Sequence, residues 1–356
     1  MKYAYYPGCS AESTARDMNQ STLAVVKALG IDFEEPRGWT CCGATAGHQT
    51  DRLLAVSLPA ANLTKVQDMK LDMVVNCAAC YNRMKVANHE ISSYPAIRQG
   101  VREALDHDYD GSVRVRHLIE VLLEDVGLPT INKSLKRSLN GLKVACYYGC
   151  LLVRPPGILK FDDAENPKSL DKLVTAMGGQ SLDWPCKVEC CGGGLSLSRT
   201  DVVVELTGGI LEMAAAAGAD CIAVSCPMCQ VNLDLRQQDI NKQTGRNYQI
   251  PIVYITQLLG LCLGIGPGEL GFEKLMVPAA GVLVKVNEHA QISNDAAGIG
   301  EHTRPRVFRP APSPVEREYS SSFCHRHTKA RAEISRTFRL LAQRQRTGAL
   351  QNASRI

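Results

Sequence analysis

Apolar runs of strand length alternate with longer amphipathic stretches along most of the chain, and the order of the two kinds repeats. Lys2 to Tyr6 is a β-prone run ending at Pro7-Gly8-Cys9, and Glu12 to Leu29 carries Met18, Leu23, Val26 and Leu29 at helical spacing. Gly30 closes that helix and Ile31-Asp32-Phe33 starts a second strand, which runs out toward Trp39-Thr40-Cys41-Cys42-Gly43. A helix from about Asp51 to Gln67 precedes a buried strand at Asp72 to Asn76, and Cys77-Ala78-Ala79-Cys80 opens the next helix. Val113 to Val126 completes the unit. Strand, helix, strand, helix is the grammar of a parallel sheet.

After Gly127 to Asn140, a polar and turn-rich stretch read as a linker, the same order returns. Leu142 to Tyr148 is a strand, Leu170 to Met177 a helix, and Leu182-Asp183-Trp184 leads into a second Cys-Cys pair. Leu195 to Ala217 reads as a helix and Cys221 to Ser225 as a buried strand, while Cys226-Pro227-Met228-Cys229 opens another helix with Pro227 in its first turn. Ile252 to Tyr254 and Thr256 to Leu263 match Arg114 to Leu123. The expected fold class is therefore α/β: two tandem, homologous Rossmann-like βαβ domains, residues 1–130 and 141–283, related by a pseudo-twofold axis. Residues 284–356 lose this grammar. Arg304, Pro305, Arg306, Pro310, Pro312 and Pro314 mark a tail expected to be largely disordered, with Ile334, Phe338 and Leu341 at helical spacing within Thr328 to Arg346.

Cysteines punctuate both halves identically. Gly8-Cys9, Cys41-Cys42-Gly43 and Cys77-x-x-Cys80 recur as Gly149-Cys150, Cys190-Cys191-Gly192 and Cys226-x-x-Cys229. The last four cysteines of each set are offset by 149 residues and the first by 141, so a length change lies between the first and second cysteines.

Charge separates body from tail. The chain of 356 residues has a formal net charge of +4, but positions 301–356 hold 12 Lys and Arg against 4 acids, which leaves the body mildly acidic. A nucleic-acid partner is not expected for the body. Hydrophobic residues make up 45% of the chain with no apolar run of membrane-spanning length, and Met1-Lys2-Tyr3 enters a strand without a signal-like segment. Fifteen cysteines in such a chain read as metal-binding or redox-active in a reducing cytoplasm rather than as a disulfide framework.

Three strand ends per half would bring five cysteines to one sheet edge, where open α/β sheets place their ligands. A C-x-x-C at a helix N-terminus gains from the helix dipole, which favours thiolate. Gly43, Gly192 and Gly193 allow close backbone approach and offer N–H donors to a bound inorganic group. Adjacent residues of extended chain point to opposite faces, so Cys41 and Cys42 suit a multi-iron cluster better than a single zinc ion, although a zinc-stabilised scaffold stays open.

These motifs, with Tyr5-Tyr6-Pro7-Gly8-Cys9-Ser10, Cys42-Gly43-Ala44-Thr45 and Cys77-Ala78-Ala79-Cys80-Tyr81-Asn82-Arg83, resemble the CCG cysteine-rich domain pair of the CoB–CoM heterodisulfide reductase B-subunit family over roughly residues 1–283. The resemblance implies two noncubane [4Fe-4S] clusters, one held by Cys9, Cys41, Cys42, Cys77 and Cys80, the other by Cys150, Cys190, Cys191, Cys226 and Cys229. It implies reduction of a disulfide to two thiols, or the reverse, between facing clusters, with electrons brought by flavin-containing and ferredoxin-like subunits. No G-x-G-x-x-G nucleotide fingerprint at a strand-to-helix turn is found, since Gly266-Pro267-Gly268-Glu269-Leu270-Gly271 follows a helical stretch, and no C-x-x-C-x-x-C motif is present, so no flavin or nicotinamide site is expected in this chain. An alternative within the same resemblance is an electron-transfer subunit of a lactate, glycolate or glycerol-3-phosphate oxidase or of a thiol-linked fumarate reductase.

Other residues are expected to be structural. Cys146, Cys221 and Cys262 read as buried thiols, Cys186 as a neighbour of the second pair rather than a sixth ligand, and Cys324 as a tail thiol. His48 reads as a surface histidine, and Lys187, Arg83 and Arg199 as solvated charges that could also steer an anion.

Overall fold

The computed structural model describes residues 1–44 and 47–286. The expectations for the tail and for Cys324 lie outside the described residues. Eight strands form two parallel four-stranded sheets of identical plan. The first contains β1 (Lys2–Tyr6), β2 (Asp32–Glu34), β3 (Met73–Val75) and β4 (Val115–His117) in the order β2-β1-β3-β4. The second contains β5 (Lys143–Tyr147), β6 (Gln180–Ser181), β7 (Cys221–Val224) and β8 (Ile252–Tyr254) in the order β6-β5-β7-β8.

Both central pairs, β1 with β3 and β5 with β7, are parallel, with Tyr6 opposite Val75 and Tyr147 opposite Val224. Every residue of β3, β4, β7 and β8 is buried; β3, β7 and β8 read as continuous apolar runs for that reason, whereas β4 buries His117 and pairs its buried Arg116 with Glu124 and Asp125. In each sheet the chain leaves β1 or β5 toward one neighbour and returns on the other side. That reversal opens a crevice beyond the C-terminal ends of β1 and β3, and of β5 and β7. The segments that follow those ends carry Cys9, Cys77, Cys150 and Cys226.

The two sheets belong to one compact unit, and named contacts bind them. Ser21, on the helix Arg16–Ala28, meets the Thr256 hydroxyl of the helix Ile255–Cys262 at 2.8 Å in a buried contact, and Gln20 donates to the Gly268 carbonyl at 2.8 Å. On the helix Ala78–Ser93, Asn82 donates to the carbonyls of Leu151 at 3.1 Å and Arg154 at 2.7 Å. The rings of Tyr81 and His117 pack edge-on against Phe161. The partners Leu151, Arg154 and Phe161 lie between β5 and the helix Ser169–Ala176, the stretch in which the cysteine spacing placed the length change. The added residues of the second half dock on the first.

Three sequence expectations need correction. Gly127 to Asn140 is not a free linker: it contains the helix Leu128–Ser134 with Ile131 fully buried, and the Lys136 and Arg137 amides donate to the Cys262 carbonyl at 2.7 and 2.9 Å. The helix expected from Leu195 begins at Thr200, because Gly193–Leu195 forms a short 3-10 turn instead; three consecutive glycines disfavour helix entry. The packed residues also pass Leu283, with Val286 fully buried and Lys285 paired with Asp220 at 2.6 Å. A chain ended at Leu283 loses that apolar contact and ion pair and is expected to unfold earlier in a thermal melt than one ended after Val286.

Lys187 is likewise not solvated. Its ammonium lies 2.7 Å from Asp171, with the two side chains only 3% and 13% exposed, and its carbonyl accepts from the Tyr148 and Gly149 amides. Asp171 also accepts from the Tyr148 and Ser181 hydroxyls at 2.6 and 2.7 Å. Removing one partner leaves a buried charge, so Lys187→Met is expected to cost about 3 kcal/mol in denaturant unfolding.

Candidate metal centre

All ten motif cysteines gather beyond the C-terminal strand ends, five to each sheet. In the first half Cys9 and Cys41 lie with their sulfurs 3.9 Å apart on the exposed side, and Cys42 and Cys80 lie 3.2 Å apart on the buried side. The second half repeats this with Cys150 and Cys190 at 3.8 Å and Cys191 and Cys229 at 3.6 Å. Cys77 and Cys226 occupy the N-cap positions of the helices Ala78–Ser93 and Pro227–Leu235, as expected for C-x-x-C motifs at helix starts. Each of these two buried thiols shifts the other across the halves: Cys226 is the largest cause raising the Cys77 pKa, and Cys226 is itself lowered chiefly by Cys229, then by Cys77 and by backbone N–H groups of its own helix turn.

The vicinal pairs differ from the extended-chain expectation. Cys41 is exposed and Cys42 buried, yet the two thiols interact, because Cys41-Cys42-Gly43 lies in a loop rather than a strand. Hydrogen bonds from Cys41 and Cys80 bring Cys42 down to about 4. Cys190 is brought down to about 6, chiefly by Cys150 and then by the backbone amides of Gly192 and Gly193. The Gly43 amide points at the Cys41 sulfur at 3.4 Å and the Gly192 amide at the Cys190 sulfur at 3.3 Å. An added Cβ on Gly193 would lie 3.7 Å from the Cys191 sulfur. Among the described residues no three His, Cys, Asp or Glu donors converge on a point suited to one metal ion.

Several features of the site escaped the sequence reading. Gly8 and Gly149 take positive φ of 80° and 66°, and a Cβ there would stand 3.1 Å from the Cys80 sulfur and 3.0 Å from the Cys229 sulfur. The equivalent tyrosines Tyr6 and Tyr147 donate to the carbonyls of Thr40 and Glu189, fixing the residue before each pair. Asn76 Oδ1, Ser225 Oγ, His117 Nε2 and the Tyr254 hydroxyl are buried without hydrogen-bond partners. Asn76 and Ser225 directly precede Cys77 and Cys226, while His117 and Tyr254 end β4 and β8. Orphan polar atoms at matching places of both halves are costly, at about 1–3 kcal/mol each. Recurrence of "Tyr, two residues, Cys" was the available signal for the tyrosines; the orphan atoms left none.

The remaining residues fall as follows. Cys146, Cys221 and Cys262 are fully buried, Cys146 with the Ser181 hydroxyl 3.6 Å away. Cys186 is buried and pushed up to about 12 by that burial, with Glu189 adding to the shift. His48 lies on the short helix Gly47–Thr50, half-buried with Nδ1 unpartnered, and burial lowers its pKa. Arg199 pairs with Asp201 at 2.7 Å on the surface. A cleft of about 610 Å³ opens beside Cys9 and Cys41, lined among others by Glu12, Glu35, Arg37 and Trp39.

Two parallel sheets with matching cysteine sets at their switch points define a tandem cysteine-rich α/β protein. The cysteine-rich domain of the CCG family matches residues 3–85 and 144–234. The chain is 31% identical to the B-subunit of the ferredoxin:CoB-CoM heterodisulfide reductase of Methanosarcina mazei, over 81% of this chain and 97% of that one. It is 30% identical to the 8-methylmenaquinol:fumarate reductase membrane anchor subunit of Wolinella succinogenes, over 78% and 98%. The chain therefore belongs to the CCG cysteine-rich family that includes the heterodisulfide reductase B-subunit. Its fold is shared with a hypothetical protein from Helicobacter pylori, at a TM-score of 0.64 and 12% identity over 78% of this chain and 52% of that one. Among the described residues no helix is long and apolar enough to cross a membrane.

Proposed function

We propose that this chain is the iron–sulfur subunit of a multisubunit oxidoreductase that cleaves a disulfide to two thiols, or runs the reverse. The observation that carries this reading is the doubling of the site: two equivalent five-cysteine sets beyond the same strand ends of two matching sheets, with paired sulfurs at 3.9 and 3.2 Å in one and at 3.8 and 3.6 Å in the other. A disulfide has two equivalent sulfurs, and a paired site can hold both. Cys9, Cys41, Cys42, Cys77 and Cys80 would hold one noncubane [4Fe-4S] cluster, and Cys150, Cys190, Cys191, Cys226 and Cys229 the other.

The residues fit such a group. Five thiols per half supply its donor set, amides of Gly43 and Gly192 already face sulfur, and Gly8 and Gly149 leave room where any side chain would press on a motif cysteine. When bound, the clusters supply single electrons and thiophilic iron. This chain's residues do the rest: Cys229, Cys77 and the amides of its helix turn favour the Cys226 thiolate, and the packing of Tyr81 and Asn82 on residues 151–161 holds the two sets in register. The overall reaction consumes two electrons and two protons per disulfide; flavin-containing and ferredoxin-like subunits would deliver the electrons.

Metal analysis tests the site. Purified brown protein with iron and acid-labile sulfide supports this reading, while colourless protein with stoichiometric zinc sinks it in favour of a scaffold. A second reading, an electron-relay subunit, is favoured by the similarity to the fumarate reductase subunit. Disulfide reduction by the complex with an artificial donor separates the two, since a relay alone leaves disulfides intact.

A further inference from the structure

The segments that lead into the two Cys-Cys pairs match in register and differ in exposure. In the second half Trp184, Cys186, Lys187 and Val188 are buried. At the matching positions of the first half Glu35, Arg37 and Gly38 are exposed and Trp39 is half-buried. Residues 151–168 and the helix Ser169–Ala176 supply the cover in the second half. Arg154 donates to the Val188 carbonyl at 3.1 Å and pairs with Glu165 at 2.8 Å, while the Lys187 ammonium lies 3.4 Å from the Pro167 carbonyl and 2.7 Å from Asp171. The first half has only residues 10–15 between Cys9 and the helix Arg16–Ala28. Ser13 stands there at the register of Arg154, and its hydroxyl turns back to the Cys9 carbonyl at 3.0 Å. The space that the second half fills with its own chain is left open in the first, as the cleft of about 610 Å³ beside Cys9 and Cys41.

The side chains around this cleft set the chemistry of an occupant. Glu12 and Glu35 are exposed carboxylates, and Glu35 accepts from Trp39 Nε1 at 2.5 Å, so a carboxylate and an indole ring are fixed side by side. Trp39 is braced in turn by Tyr6, edge-on with ring centroids 5.3 Å apart. A guanidinium suits both groups at once, since it pairs with carboxylate and stacks on indole. Arginine is also what the second half places over this backbone. Arg37 adds one opposite charge, which favours an acidic residue beside that arginine, as Glu165 stands beside Arg154.

We propose that the first-half cleft is the docking site for an extended, arginine-bearing segment of a partner subunit. That segment covers the approach to Cys41 from another chain, as residues 151–168 cover the approach to Cys190 from their own. The proposal rests on the reading of this chain as one subunit of an oxidoreductase complex and names the surface by which it is joined. Cys9 and Cys41 are both exposed at the cleft, whereas Cys150 is half-buried. A subunit seated there therefore stands against the first-half site and not the second. The other occupant within reach of the same chemistry is the chain's own basic end, residues 301–356. A separate subunit is favoured because the reaction draws its electrons from another chain, and this is the edge at which motif sulfurs meet solvent.

The test uses the purified complex with photoreactive benzoylphenylalanine in place of Arg37. The expected result is a crosslink to a partner-subunit peptide that contains arginine. Glu12→Arg combined with Glu35→Arg should weaken binding of the full-length chain to that subunit at least tenfold at low salt, and should remove most of the salt dependence shown by the parent. Glu103→Arg, an exposed acid on the helix Pro95–Leu105, should leave the affinity unchanged. Should the charge reversals fail to fold, Glu12→Gln with Glu35→Gln gives the same readout with a smaller factor. Fluorescence supplies a second signal, because Trp184 is buried and a change on binding reports Trp39. A crosslink to residues 287–356 or to a second copy of this chain, no crosslink in an intact complex, or unchanged affinity in the folded charge variants would overturn the proposal. An iron-free complex that still gives the crosslink and the charge effect would leave the docking site standing and remove the iron–sulfur reading alone.

Discussion

Cys42→Ser and Cys191→Ser should each abolish disulfide reduction while removing only about half of the iron, because ligands to separate sites do not share a metal. Activity and metal content would part company because the two sites are joined. Cys77 and Cys226 shift one another's pKa across the halves, and Asn82 with Tyr81 and His117 ties the first half to residues 151–161 of the second. Independent sites would each retain about half the turnover. The measurement is disulfide reduction by the purified complex with an artificial donor, set beside iron content and spectra of the surviving site. Half activity in each variant, with that site intact, would refute joint action and leave a relay or one working half. Cys186→Ser serves as the control: no motif thiol contributes to its pKa shift, and it should keep its iron.

Gly149→Ala should deplete the second half of iron, and Gly8→Ala the first. At φ of 66° and 80°, the latter with ψ of 158°, a side chain strains the backbone by about 1–3 kcal/mol, so neither substitution should unfold the protein. The larger effect is local. The new Cβ would lie 3.0 Å from the Cys229 sulfur or 3.1 Å from the Cys80 sulfur, inside normal contact, and must push a proposed ligand away. Loss of about half the iron with a folded chain by circular dichroism is the expected result. Full iron in both variants would show that Cys80 and Cys229 are not held against these glycines when the site is loaded.

What the sequence by itself determined is considerable. Period and punctuation yielded the two-part α/β plan: β1 falls at Lys2–Tyr6 as read, β7 and β8 fall within a residue of their expected spans, and both C-x-x-C motifs cap helices. These are local facts, since a buried parallel strand needs a continuous apolar run and a helix start needs free amides, and both leave marks within a few residues. The 149-residue offset, broken to 141 at the first cysteine, placed a length change between the first and second cysteines of each set, the stretch that holds Leu151, Arg154 and Phe161 in the second half. Which cysteines and glycines were candidates was likewise legible.

Only the tertiary structure decided what those parts meet. Nothing in Gly127 to Asn140 announces that Ile131 is buried, because a polar helix with one apolar anchor looks like a linker until its partner is present. Lys187 looked solvated beside a Cys-Cys pair and is buried against Asp171, sixteen residues earlier in the chain. The mutual pKa shifts of Cys77 and Cys226 and the approach of Gly8 to Cys80 join segments far apart in sequence, and only the packing leaves atoms of Asn76, His117, Ser225 and Tyr254 without partners. Local composition fixes which elements form, because backbone hydrogen bonding and hydrophobic period act over a few residues. Burial, charge compensation and sulfur-to-sulfur distance depend on how two separately encoded sheets pack, and that information exists only once the chain has closed upon itself.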